Sequence, residues 1–253
     1  MDALDRLYNF DFGGANRILD NRIQSQPSDT LAYAFRAASV MFQELDRLMI
    51  LEGEFFTDDK KIIEKKKLQN DPVLRRQFYQ YVEIAKRRAQ DKLTLQPADP
   101  ESLFAMSVAS GLLTDYLALI EKRQLASLSY ARDSQSYAVR LLRVAPNFTD
   151  AYLTTGITEY LLGSLPFFVK WVVRFDEVSG DKNIAIQRLT NVAANGRCFG
   201  AFAKILLSII HLREKQPKRA ETLLAELARD YPENPLIRKE LVKVRLLLPA
   251  GSY

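Results

Sequence analysis

The chain has 253 residues, 47% hydrophobic and 26% charged, which is ample for a continuous buried core. Its 36 basic and 31 acidic residues leave a formal charge of only +5 with both signs mixed along the chain, which argues against a dedicated nucleic-acid binder, where the excess gathers on one face. One cysteine (Cys198) and one histidine (His211) exclude an intrachain disulfide and cysteine-rich zinc sites, and all but exclude Cys/His or Ser/His catalytic pairs.

Met1 leads straight into Asp2-Ala3-Leu4-Asp5-Arg6, without the basic start and apolar run of an export signal. The expectation is a cytoplasmic protein as the sequence stands, or a periplasmic or exported one if Met1 replaces a removed signal. No stretch reaches 18 uninterrupted apolar residues, so no integral membrane span is expected.

Helical periodicity then runs nearly end to end. Leu4, Leu7 and Tyr8 fall three and four apart, as do Ala15, Ile18, Leu19 and Ile23; Gly13-Gly14 is read as the break between two short helices ending at Pro27. Ser28-Asp29-Thr30 offers capping oxygens to a long helix from Leu31 to about Leu51. Residues 53–70 read as a charged insertion, with Phe55 and Phe56 leading into Lys60, Lys61, Lys65, Lys66 and Lys67. Asp71-Pro72 and Asp99-Pro100 each start a helix, the first running to about Leu95, the second strongly apolar with Gly111 permitting close packing.

A helix from about Gln124 to Val144 stops at Pro146, and Asn147-Phe148-Thr149-Asp150 is read as the cap of the next. Gly163-Ser164-Leu165-Pro166 ends that helix and opens an apolar segment, Phe167, Phe168, Trp171 and Phe175 among its residues. Gly180 opens and Gly196 closes another helix. The chain finishes with a helix from Ala201 to Arg213, a Pro217-led helix, and an amphipathic helix from Leu236 to Leu248 that suits the end of a stack. No β alternation persists for five residues outside the Phe167 segment, so an all-α protein of about a dozen helices is expected.

Three prolines recur in one setting. Pro27, Pro97 and Pro232 each follow a helical stretch with a small residue twelve positions upstream (Ala15, Ala85, Ala220) and an apolar or small one eight upstream (Leu19, Ala89, Leu224). Pro146 repeats this with Ser134. Proline disfavours helix in the residue before it and marks each helix end, while the small residues mark close helix approach. Together with Tyr152 and Gly156, this spacing resembles the tetratricopeptide repeat (TPR), a helix–turn–helix unit with an aromatic, a glycine, an alanine and a closing proline at set places. The whole chain is also similar to a group of uncharacterised bacterial TPR proteins whose members often carry export signals. The resemblance implies a right-handed α-solenoid of antiparallel helix pairs, with units near 1–27, 28–97, 98–146, 147–197 and 198–234 and a capping helix at 235–248. Only the last unit has standard length, so the others carry lengthened or inserted helices.

In such repeats the first helix of each pair lines the concave surface. Carrying over the family's groove positions gives Ala34, Ala38, Met41 and Phe42; Leu153, Ile157, Tyr160 and Leu161; and Phe202, Ile205, Ile209, Leu212 and Arg213. Nearly all are apolar, whereas grooves that clamp a carboxylate display Lys, Arg and Asn. Either this groove takes an apolar or helical ligand, or the chain fills it itself; apolar helix faces are far more often core, which favours self-filling. The segment Phe167–Phe175 reads as a partner- or membrane-touching element or as a buried plug, with burial favoured. Lys60–Lys67 could grip phosphates or present a solvated face, the latter favoured because Asp58, Asp59 and Glu64 dilute the charge. Asp58-Asp59, or Asp115 with Glu121, offer acid/base or metal pairs that lack a nucleophile or third ligand at suitable spacing. No cofactor is expected. His211 and Cys198 are read as structural.

The function these features imply is a non-catalytic scaffold for a protein or peptide partner. The alternative is a carrier of an apolar small molecule or lipid in the concave surface.

Overall fold

The computed structural model describes residues 2–51, 69–165, 175 and 178–248. Among them the regular structure is entirely helical: α1 (Asp2–Tyr8), α2 (Phe12–Ser25), α3 (Thr30–Arg47), α4 (Pro72–Leu95), α5 (Pro100–Asp115), α6 (Gln124–Val144), α7 (Tyr152–Ser164), α8 (Lys182–Asn195), α9 (Gly200–Arg213), α10 (Pro217–Asp230) and α11 (Pro235–Arg245). A π turn, Tyr116–Ile120, extends α5, and a 3₁₀ turn, Thr149–Ala151, leads into α7.

Local chemistry sets the boundaries. Asp29, Asp71, Asp99, Asp181 and Asn234 each accept a backbone N–H from the turn they precede, and Pro72, Pro100, Pro217 and Pro235 stand at helix starts where no N–H partner exists to lose. The stops are equally regular. Gln26, Gln96, Ala145 and Tyr231, each directly before a proline, have φ of −135°, −134°, −139° and −126°. All four have left the helical region, which a following proline ring disfavours.

Two expected boundaries move. The break between the first two helices lies at Asn9–Asp11, with Phe10 at φ 64°, while Gly13 and Gly14 sit inside α2. Asp11 caps α2 through the Gly14 N–H at 2.7 Å, and a Cβ at Gly14 would meet that carboxylate at 2.0 Å. The Asn147–Asp150 stretch does not cap α7 by a side chain; Asp150 is used elsewhere, as described below.

Consecutive helices pack against one another throughout, so the hairpins α1/α2, α3/α4, α5/α6, α7/α8 and α9/α10 stack in chain order with α11 over the last. This is a TPR-like α-solenoid. The small residues sit where the resemblance puts them: Ala15, Ala85 and Ala220 are fully buried, and so is Ser134 but for a trace. Ser134 and Ser107 exchange hydroxyl-to-carbonyl hydrogen bonds at 2.8 and 3.0 Å, locking α5 to α6 beside Gly111. Gly156 lets α8 approach α7, since a Cβ there would press on the Leu189 side chain at 3.0 Å. The stretch Pro100–Ile120 is long and apolar enough by composition to cross a membrane, although it has no uninterrupted apolar run of that length. Two thirds of it is buried in this protein, against α3, α4 and α6.

Candidate partner-binding surface

Among the described residues, aromatic side chains on the first helices of several pairs touch across the stack. Phe42 of α3 meets Phe202 of α9 edge to face at 6.0 Å, and Phe35 meets Phe199, just before α9, at 6.1 Å. Phe104 of α5 joins the same group through Phe199 at 5.7 Å and Phe148 at 4.8 Å. Residues far apart in the chain thus meet through these rings.

The groove positions fall accordingly. Met41 is buried among Ala37, Ala38, Leu45 and Tyr116. Leu153 and Tyr160 are buried with Leu189, Leu207 and Ile210, and Ile157 packs partly against that cluster. Phe202 is half-buried between this cluster and the one formed by α10 and α11, which Ile205 also adjoins. Ile209 and Arg213 are half-buried, whereas Leu161 is exposed. Met41, Leu153 and Tyr160 are therefore committed to the chain's own core. Of the apolar segment, Phe175 is half-buried; Phe167, Phe168 and Trp171 lie outside the described residues, as does the Lys60–Lys67 run with Asp58 and Asp59.

Three buried carboxylates that sequence reasoning missed tie backbone together, while buried Arg36 pairs with the Asp20 side chain at 2.8 Å. Glu44, with no exposed side chain, accepts Arg47 Nε and Nη2 at 2.7 and 2.9 Å and the Asp71 N–H at 2.8 Å, joining α3 to the start of α4. Glu159 accepts the N–H groups of Ser179, Gly180 and Asp181 at 3.2, 2.6 and 3.1 Å, and Arg188 stands 3.5 Å away. Asp150 accepts the N–H groups of Arg197, Cys198 and Phe199 at 3.0, 3.1 and 2.8 Å, capping α9 from the neighbouring hairpin. No single-window motif signals the backbone N–H partners, which lie 20 to 49 residues away.

Glu121 pairs with Arg75 at 2.8 Å and Arg123 at 3.4 Å. Burial pushes the Asp115 carboxyl up to about 7. Burial, then the Asp150 charge, pushes the Cys198 thiol up to about 11, so it is a poor nucleophile near neutrality. His211 is buried with Nδ1 3.1 Å from Gln216 Oε1, and burial lowers its pKa. At the α7/α9 end, Tyr160 donates to Glu214 Oε1 at 3.1 Å while Lys182 pairs with the same oxygen at 2.7 Å. The Lys182 hydrogen bond holds the Glu214 carboxyl below its ordinary range.

The sequence matches no protein-family model and no curated protein. Among solved structures, it is similar to a thermophilic TPR protein of Thermus thermophilus. The identity is 15%, covering 94% of this chain and 91% of the other, with a TM-score of 0.49.

Proposed function

We propose that this chain is a non-catalytic helical-repeat scaffold that holds another protein. The observation that supports it is the stacking of hairpins in chain order, with the buried carboxylates of Glu44, Asp150 and Glu159 all spent on fixing backbone. Such an architecture offers area and shape to a partner.

The partner is a protein or peptide bound on the outer surface, because inner positions contact one another. One outer face is that of α11 and the turn after it, where Val242, Leu246 and Leu247 are 59%, 81% and 64% exposed beside exposed Arg238, Lys239 and Arg245, the last paired with Glu221. An apolar patch with a basic rim suits a partner with an acidic rim. A photo-crosslinking residue at Leu246 is expected to yield a discrete protein adduct in native lysate, lost on Val242→Lys. Turnover of a small molecule by the purified chain, or an adduct pattern indifferent to Val242→Lys, would defeat the reading.

A further inference from the structure

The first helix and the last repeat meet across almost the whole chain. Leu4 and Tyr8 of α1 join the apolar cluster of Ala201, Leu224, Leu227, Ile237 and Leu241, and the Tyr8 ring lies 5.3 Å from that of Tyr231. Three hydrogen bonds fix the register. Asn234 Nδ2 donates to the Tyr8 carbonyl at 2.6 Å, the Tyr8 hydroxyl donates to the Cys198 carbonyl at 3.3 Å, and the Glu233 N–H donates to Asn9 Oδ1 at 3.1 Å.

Two features separate this contact from ordinary core. The helix is short, seven residues, and short helices depend on what they dock against, here α2 along one side and the last repeat through Leu4 and Tyr8. It also fits incompletely. A cavity of about 170 Å³ remains between α1, the α8–α9 turn and the end of α10, walled by Asp5, Tyr8, Arg197, Lys204, Asp230 and Tyr231. Lys204 is engaged there with Glu226 and Asp230 at 2.9 and 3.5 Å.

We infer that the face formed by α9, α10 and α11 is a docking site for a short amphipathic helix, and that α1 is its tethered, displaceable occupant. α1 shows what the site selects. It takes an apolar residue and a tyrosine four apart (Leu4, Tyr8), a helix-terminal carbonyl for Asn234, and a following side-chain acceptor for the Glu233 N–H. The partner that fits is a helix of this pattern with larger side chains to fill the cavity. Binding it releases α1, and with it the clasp between the two ends of the solenoid. The inference rests on the scaffold reading, yet it is tested on the isolated chain with a peptide, so it can fail while partner capture at α11 stands.

The test uses a fluorescent peptide of residues 2–11 titrated into full-length chains. The tethered copy competes at high effective concentration, so binding to wild type is weak. Tyr8→Ala loosens the tethered copy and leaves the docking face intact; the peptide is expected to bind it at least tenfold tighter than wild type. Asn234→Asp, introduced into the Tyr8→Ala chain, keeps the oxygen that caps α11 but removes the donor to the Tyr8 carbonyl, and is expected to weaken the peptide about tenfold. No saturable binding to a folded Tyr8→Ala chain, equal affinity for the two chains, or indifference to Asn234→Asp overturns the inference. If Tyr8→Ala fails to fold, Leu4→Ala replaces it in the same titration, with the same tenfold gain expected and equal affinity overturning the inference.

Discussion

Asp150 carries the sharpest prediction. Its side chain is almost fully buried and receives three consecutive N–H groups at the start of α9, a helix with no side-chain cap of its own. Asp150→Ala leaves those donors without an acceptor next to the positive end of the helix dipole. Hydrogen bonds to a charged acceptor contribute about 1.5–3 kcal/mol each, but water reaches the exposed Arg197 end, so about 3 kcal/mol in total is expected. Asp150→Asn keeps one acceptor oxygen and is expected to lose about half of that. Urea unfolding followed by circular dichroism reads the difference as a midpoint shift near 1 M for alanine, given a slope of about 3 kcal/mol per M. A loss under about 0.5 kcal/mol for Asp150→Ala, or equal losses for the two substitutions, would show that the carboxylate is not what holds this junction.

Three more outcomes are expected. Ala220→Trp, at a fully buried helix contact, destabilises by about 2–4 kcal/mol, and an unchanged melting temperature contradicts the packing. Asp115, raised to about 7 by burial, is held protonated in the fold but titrates near 3.9 unfolded. Its contribution is therefore full below about pH 4 and lost as pH rises through about 7, so Asp115→Asn flattens the fall in unfolding midpoint across that window. Parallel profiles for wild type and variant would refute this. The Cys198 thiol, near 11, carries roughly a hundredfold less thiolate at pH 8 than an ordinary cysteine, so a disulfide reagent reacts with the folded chain about that much more slowly than with the urea-unfolded one.

What the sequence shows plainly is whatever acts within one turn. The Asp-Pro pairs at 71 and 99 place helix starts, and the residues before Pro27, Pro97, Pro146 and Pro232 place the stops, because capping and proline sterics need no distant partner. The alanines at close helix contacts are legible for the same reason. Asp150 misleads because it follows Asn147 and Thr149 in what looks like a local cap, whereas its oxygens serve amides 47 to 49 residues on. The break at Phe10 is masked by Gly13-Gly14, because a non-glycine left-handed residue has no sequence mark. The fate of the groove was hidden more deeply. Whether Phe42 faces a ligand or Phe202 depends on curvature accumulated over the intervening hairpins, and no window of sequence holds that sum.

The bond from Asn234 to Tyr8 spans 226 residues, and it reverses the order of birth. α1 is synthesised well before the residues that seat Leu4 and Tyr8. At about 5–20 residues per second the interval is roughly ten to forty-five seconds. Throughout it α2 is the cover at hand for the newborn segment, and Leu4 and Tyr8 wait for the rest.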